Sequence, residues 1–347
     1  MTNINEPKTT MKWSIGQVWN EALENGSRRE MKPRDYMWAS EIGGAYIDRL
    51  LKMKGTEPTN PPNARSLRKF EAGNMMEWVV GMVLKRAGIY KDTQEHIKYQ
   101  YPGLLEVTGR LDFLAGGSVD WEKAKAEIVS LDLPEFFSRA TTKIIEYLSG
   151  AYPAGLENIV IEVKSCSSFM FDRYEKTGAD VHHQLQAFHY LKGKNLPEAH
   201  IVYISRDDLR MLEFGVYNPS PIEALYRGDI EKMTKIFNGE VEAEKEPLVA
   251  YDSEAGRFSR NWKVAYSGYL KLLYGYESQM AYEEAWTAKV NGYNRVMGRC
   301  VKGDKMTPAN LDIIKDAKIM FPNWDELVKD IKAKGVDPEA EVAEEVG

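Results

Sequence analysis

Asn158-Ile-Val-Ile-Glu-Val-Lys-Ser165 decides how the rest of this chain is read. β-Branched residues dominate it and neither glycine nor proline interrupts it, so it is expected to form a strand. A period of two puts Ile159, Ile161 and Val163 on one face and Val160, Glu162 and Lys164 on the other. A carboxylate and an ammonium group therefore stand side by side. Taken singly, the pair reads as an ordinary surface ion pair across a strand face.

Two acids upstream change the balance. The run 104–114 is expected as a strand ending at Gly116-Gly117, with Val107, Gly109, Leu111 and Phe113 on one face and Thr108, Arg110, Asp112 and Leu114 on the other. Aspartate is disfavoured inside strands, so Asp112 needs a reason to be there. Residues 66–87 are expected as a helix closed by Gly88, with Phe70, Gly73, Val80, Gly81 and Leu84 at helical offsets from Glu77. A carboxylate in an apolar stripe is costly unless a cation or hydrogen-bond partner compensates it. An ion pair to a core arginine or a helix cap would account for Glu77 alone. Together, acids from a helix and two strands can converge on a hard divalent cation, which prefers oxygen ligands. Such an ion activates water and stabilises charge on a phosphodiester, and a neighbouring lysine can position or deprotonate the water.

Further out, residues 14–30 and 38–54 read as helices, the second with Ile42, Tyr46, Ile47, Leu50 and Leu51 at helical spacing. The proline- and asparagine-rich stretch 55–63 is a loop, and 96–99 is a strand. Residues 119–150 look helical and amphipathic, interrupted by Pro134. A helix over 179–192 precedes a hairpin-like pair, 201–205 and 211–217, around Arg206-Asp207-Asp208. Residues 238–260 read as a linker or surface meander, and 262–301 as helical and rich in aromatics. From Asp337 to Gly347 the chain carries acids and no bases, which predicts a solvated tail. This order predicts a mixed α/β core with a helical C-terminal part.

The 347 residues, 43% hydrophobic, suffice for one large core with a helical appendage. No apolar run approaches the roughly 20 residues of a membrane span, and the N-terminus lacks the apolar stretch of a secretory signal. With only Cys166 and Cys300, a disulfide framework is excluded and a reducing cytoplasm fits. The net charge of −6 says little about function, because catalytic acids and an acidic tail can mask a local basic groove.

Gly-Arg-Leu-Asp (109–112), Ile-Glu-Val-Lys (161–164) and Gln-Leu-Gln-Ala-Phe-His-Tyr (184–190), in that order, resemble the motifs of the PD-(D/E)XK nuclease superfamily. The branch they resemble most is that of the RecB-like exonucleases, which includes lambda exonuclease and CRISPR-associated RecB-like nucleases. Gly73-Asn-Met-Met-Glu77 is similar to that branch's helix motif, and Ile201-Val-Tyr-Ile-Ser-Arg-Asp-Asp208, running on to Phe214, to the strand pair after its glutamine helix. The resemblance covers residues 38–270 and implies a restriction-endonuclease-like core, a central mixed sheet flanked by helices. It also implies Glu77, Asp112 and Glu162 as ligands of Mg²⁺ or Mn²⁺, the Val163 carbonyl as a further ligand, and Lys164 acting on the water. Gln184 would orient substrate or lysine. If Gln184 is the motif glutamine, Phe188 takes the motif's tyrosine position; if Gln186, Tyr190 does. Gln184 is preferred because Gln-Leu is the commoner start among relatives.

The domains expected are an N-terminal helical segment (1–37), a nuclease core (38–237) with a helical insertion (117–157), a helical region packing on it (238–335) and the tail (336–347). The insertion departs from the family, which needs far fewer residues there. Trp262-Lys-Val-Ala-Tyr-Ser-Gly-Tyr269 and Ser40-Glu-Ile-Gly-Gly-Ala45 resemble segments that hold an iron–sulfur cluster in many relatives, but Val264, Ser267 and Ala45 stand where cysteines would. A cluster needs about four thiolates, so none is expected, and Trp262, Tyr266 and Tyr269 are expected as core. His182 and His183, with His189 and His200 nearby, lack the spaced partners of a zinc tetrahedron and are expected to be structural or substrate-facing. Arg65, Arg68, Lys69, Arg173, Lys176, Lys192 and Lys194 flank the motifs as solvated charges or phosphate contacts.

The expected activity is a metal-dependent deoxyribonuclease, an exonuclease of recombination, repair or phage DNA processing, with DNA ends as partner and room for a homo-oligomer or a recombination partner protein. A structure-specific endonuclease on the same core is the alternative within the class. A silent nucleic-acid-binding or assembly protein is the alternative outside it, against which the retained Asp112, Glu162 and Lys164 count.

Overall fold

The computed structural model describes residues 14–27, 30–117, 119–130, 135–253, 255–336 and 338. The expectations for the first 13 residues, for Pro134 and, apart from Pro338, for the acidic tail from Asp337 onward lie outside the described residues. The chain divides into two compact units. One comprises residues up to Gly43, Met53–Gly55 and Pro62–Asn238; the other comprises Gly44–Lys52, Thr56–Pro61 and Gly239 onward.

The elements of the first unit, in chain order, begin with α1 (Ile15–Ser27), β1 (Tyr36–Trp38) and a single 3₁₀ turn over Ala39–Glu41. After α2 (Tyr46–Met53), most of which belongs to the second unit, come α3 (Ala64–Arg86), β2 (Tyr90–Thr93), β3 (His96–Tyr99), β4 (Glu106–Arg110) and β5 (Phe113–Gly117). Then follow α4 (Trp121–Ser130), α5 (Glu135–Ala151), β6 (Leu156–Cys166), α6 (Ser168–Thr177), α7 (Val181–Lys194), β7 (Glu198–Ser205), β8 (Met211–Tyr217) and α8 (Ile222–Phe237). The main sheet has the order β2-β5-β6-β7-β8 and is mixed: β6 and β7 run parallel, the other pairs antiparallel. A smaller sheet, β1-β4-β3, pairs β1 with β4 in parallel. The architecture is thus α/β, with helices flanking a central mixed sheet.

Burial explains the layering. Val80 and Leu84 of α3 form one cluster with Phe113, Ile161, Val202 and Ile204, so α3 covers the sheet face on which Ile159, Ile161 and Val163 lie. Gly81 allows this helix to lie close, because a Cβ there would come within 2.9 Å of the Phe113 ring. α7 lies on the Glu162 and Lys164 side and is buried from Leu185 to Leu191. Asp180 caps its N-terminus through the His182 N–H, and Asn195, in the left-handed conformation, closes its C-terminus.

Several sequence expectations change here. Residues 38–54 are not one helix: a strand and a 3₁₀ turn precede Gly43, whose φ of +81° stops the turn, and the helix begins at Tyr46. The run 104–114 is not one strand either. It divides into β4 and β5, which belong to different sheets, and Asp112 sits at the break rather than inside a strand. Phe70 is 59% exposed, so it does not share a buried stripe with Val80, Gly81 and Leu84. Within 117–157 lie the helices α4 and α5, with Trp121, Ala124 and Ile145 in a small core cluster. Gly117 and Leu156 are register partners, so the segment leaves and re-enters the sheet at one rung. Closing a loop between fixed neighbours adds little entropic cost as the loop grows, which lets a sheet carry such an insertion.

In the second unit, residues 238–260 are more than a linker: β9 (Val249–Asp252) and β10 (Arg257–Arg260) form an antiparallel hairpin. Short helices α9 (Trp262–Ala265) and α10 (Leu270–Tyr274) precede α11 (Gln279–Lys302), α12 (Pro308–Met320) and α13 (Trp324–Lys334). Phe258 stacks on Trp324 with ring centroids 5.4 Å apart at the centre of this core. Of the three aromatics expected to be core, only Tyr269 is buried; Trp262 and Tyr266 are 51% and 67% exposed. Val264 and Ser267, by contrast, are buried.

Candidate active site

Three elements carry the acids. Glu162 and Lys164 share a face of β6, as the period-two reading requires, and the Lys164 ammonium donates to Glu162 Oε1 at 2.6 Å. The Glu162 side chain is 2% exposed and that of Lys164 22%. Asp112 is brought in by the break between β4 and β5, and its Oδ2 accepts the Val163 N–H at 2.7 Å. Glu77 reaches the same neighbourhood from α3, close enough for its charge to act on Asp112 and Lys164.

The electrostatics of the group are lopsided. Burial pushes the Glu77, Asp112 and Glu162 carboxyls above their ordinary values, Asp112 well above, where the Glu162 charge adds to the effect. Burial alone would lower Lys164, but the Glu162 and Asp112 carboxylates outweigh it and hold the ammonium above the usual lysine value. Three acids facing one cation in a desolvated place resist carrying three negative charges together unless a further cation joins them. Glu162 Oε2 is buried and has no hydrogen-bond partner. An orphaned buried carboxylate oxygen is expensive, and a bound cation would remove the expense.

Whether these residues fit a metal can be judged from the same atoms. The donors are carboxylate oxygens, the kind a hard divalent ion prefers, and one of them is unpartnered. Among the described residues, however, no three His, Cys, Asp or Glu side chains are gathered tightly enough to hold an ion as they stand. Each acid is held by something else: Glu162 by Lys164, Asp112 by the Val163 N–H, and Glu77 by Gln94, whose Nε2 donates to Glu77 Oε1 at 2.7 Å. The set fits a cation in chemistry, and the Gln94 hydrogen bond leaves Glu77 Oε2 as its oxygen for an ion.

The two glutamines of α7 part company. Gln186 Oε1 accepts from the Lys164 ammonium at 2.9 Å, and its Nε2 donates to the Tyr190 hydroxyl at 3.2 Å. Gln184 is not brought to the cluster: its amide donates to the Ala179 carbonyl at 2.8 Å, inside its own helix entry. Of the two candidates, Gln186 is the one that meets Lys164, with Tyr190 one helical turn on. Gly109 makes room for this arrangement, because a Cβ there would lie 2.8 Å from the Tyr190 ring. Val163 contributes its backbone N–H to Asp112, and in an extended strand the carbonyl of the same residue, the one expected as a ligand, faces that same side.

Sequence reading missed the turn between β2 and β3. Gln94 sits there at φ +55°, uncommon for a residue with a side chain, and holds Glu77. Beside it the Thr93 hydroxyl donates to the Asp112 carbonyl at 2.6 Å, and the Leu111 N–H donates to the Glu95 carbonyl at 3.1 Å. This turn fixes both Glu77 and the break that presents Asp112. Nothing in the local pattern of residues 93–95 signals that role. His182 and His183 go separate ways, to the Ser40 carbonyl and the Tyr203 hydroxyl. Of the flanking bases, Lys192 and Lys194 are tied to Glu223 and Glu95.

No family model matches the chain, and no curated protein matches it. Among solved structures it is similar to the protein SSO0001, at 14% identity over 68% of this chain and 92% of that one, with a TM-score of 0.40. It is also similar to the alkaline exonuclease LHK-Exo from Laribacter hongkongensis, at 12% identity over 65% of this chain and 94% of that one, with a TM-score of 0.37. The complex of LHK-Exo with dAMP gives 0.39 at the same identity and coverage. Identity this low leaves function to be read from the side chains.

Proposed function

We propose that this protein is a Mg²⁺- or Mn²⁺-dependent deoxyribonuclease of the PD-(D/E)XK superfamily, acting on DNA ends as the RecB-like and lambda-exonuclease-like branch does. The observation that carries the reading is the Lys164 ammonium, shared between Glu162 and Gln186 within a buried group of acids that has too few counter-charges. A structural ion pair has no use for the additional acids and the orphaned oxygen; a metal-dependent hydrolase does.

Asp112 and Glu162 would hold the ion, with Glu77 and the Val163 carbonyl as further oxygens. Bound there, a divalent cation would lower the pKa of a water and neutralise charge building up on the phosphate. Lys164 holds a proton at Nζ beside the reacting oxygen, where it can orient the water or offset developing charge. Gln186 keeps that ammonium in place, and the Tyr190 hydroxyl keeps Gln186 in place. Gln94 is a positioning residue for Glu77. The setting that suits such chemistry is cytoplasmic DNA recombination, repair or phage DNA processing.

The test is cleavage of end-labelled linear and closed circular DNA, single- and double-stranded, with Mg²⁺ or Mn²⁺, beside Lys164→Ala and Glu162→Ala. Metal-dependent loss of linear DNA alone, abolished in both variants, is the expected result. Cutting of circles would make it an endonuclease. No cleavage of any substrate with either metal would overturn the reading in favour of a DNA-binding or assembly protein.

A further inference from the structure

Beside the acids lies a cleft of 440 Å³, within the ordinary size range for small-molecule sites, and its aromatic walls have no part in the chemistry above. Glu77 and Gln94 form the wall it shares with the acidic group. Its other walls are Trp78, Tyr90 and Phe113, with Lys85 at the rim over the Tyr90 ring, 4.7 Å from its centroid. Phe113 can form the floor because Gly81 has no side chain, as shown by the 2.9 Å approach a Cβ would make to that ring. Trp78 is 65% exposed, although it is the largest side chain on α3 and sits one residue from a carboxylate of the cluster. An indole so exposed beside the acidic site buries little apolar surface and contributes little to folding stability.

We propose that this cleft is a subsite for an unpaired nucleobase at the end of a DNA strand, stacked on the Trp78 indole, with Lys85 supplying positive charge for the attached phosphate. The proposal rests on the nuclease reading above and specifies which part of the substrate the chain grips. The chemistry selects that occupant in three ways. Aromatic walls attract a planar π-face irrespective of base identity, and such faces are accessible in DNA only at ends or in single strands. Asn74 and Gln94 line the cleft, and the hydrogen-bonding positions their amides do not use on Glu71 and Glu77 can meet a base edge, while a lysine suits a phosphate as a point charge. Continuity with Glu77 puts the base next to the phosphate to be cut.

The test compares wild type, Trp78→Ala and Trp78→Phe on single-stranded oligonucleotides whose terminal nucleotide is either intact or abasic. Cleavage is followed with Mg²⁺, and binding of a fluorescent oligonucleotide is followed separately with Ca²⁺. Trp78→Ala is expected to bind the intact strand about 5- to 100-fold more weakly and to raise KM more than it lowers kcat. Trp78→Phe should keep most of the affinity, and on the abasic strand the three proteins should agree. Equal binding by wild type and Trp78→Ala on both strands would overturn the proposal while leaving the nuclease reading intact. If wild type cleaves nothing, the nuclease reading fails, and the Ca²⁺ binding comparison still decides the subsite by the same criterion.

Discussion

Glu162 in the first unit and Asn261 in the second are both buried polar residues, yet they are held in opposite ways. Asn261 is 6% exposed, and both ends of its amide are in use: Oδ1 accepts the Lys263 N–H at 3.0 Å and Nδ2 donates to the Pro247 carbonyl at 2.8 Å. Its own N–H donates to the Tyr282 hydroxyl at 3.0 Å. Glu162 has one oxygen on Lys164 and the other on nothing, with two more acids within electrostatic reach. A side chain that holds a fold together is satisfied within the fold. One that is left short, in a desolvated cluster of like charge, is stabilised by something the chain does not contain. That contrast, and not burial, distinguishes the two residues, since they are about equally buried.

The largest effect should come from removing the charge that is left short. Glu162→Gln keeps the shape and relieves repulsion among the acids, so cleavage should fall by at least about 100-fold while the thermal midpoint stays level or rises. A midpoint that collapses along with activity would put Glu162 in the same class as Asn261 and break the contrast. Asn261→Ala is expected to do the reverse, lowering stability by about 1–3 kcal/mol because it leaves the Pro247 carbonyl and a helix-capping N–H unpaired. Urea unfolding of that variant, monitored by far-ultraviolet dichroism, measures it.

His189 sharpens the comparison within the first unit. It is fully buried, bonded to the Tyr226 hydroxyl and the Ile97 carbonyl, and burial pushes its imidazole down to about 4. The unfolded chain takes up a proton near pH 6.5 and the folded chain does not, so stability is fully present above that pH and falls as pH drops toward 4. A loss of up to about 2 kcal/mol between pH 7 and 5 is expected in urea melts. His189→Gln should show a smaller pH dependence over that window, and an unchanged one would remove His189 from the account.

The smallest contrast is between neighbours on α7. Gln186→Ala should slow cleavage about tenfold, whereas Gln184→Ala should stay within about threefold of wild type in the same single-turnover assay. Equal effects would mean that the Lys164 contact is not what matters about this helix.

Much of this was legible in the chain. The register of β6 follows from alternation alone, which is why Glu162 and Lys164 were found together. The glycine after α3 sits where a helix stop was expected, and the helix and hairpin over 179–217 lie close to their expected bounds. The failures share a cause. Alternation through 104–114 is real, but it cannot reveal that a hydrogen bond from the Thr93 hydroxyl and another accepted by the Glu95 carbonyl divide the run between two sheets. Helical spacing in 38–54 could not reveal a parallel partner for Tyr36–Trp38 at Glu106–Thr108. Two glutamines two residues apart look alike in sequence, yet on a helix they point in directions about 200° apart, and only one can meet Lys164.

By itself, then, the sequence determined which residue types share a face and where helices can begin and end, because those are properties of neighbours along the chain. Only the tertiary structure decided where Asp112 leaves its strand, which glutamine meets Lys164, that Gln94 holds Glu77, and that Trp78 stands exposed beside the acids. Each of those depends on a contact between segments far apart in sequence, and the desolvation that makes the acids short of counter-charge exists only once those segments have packed.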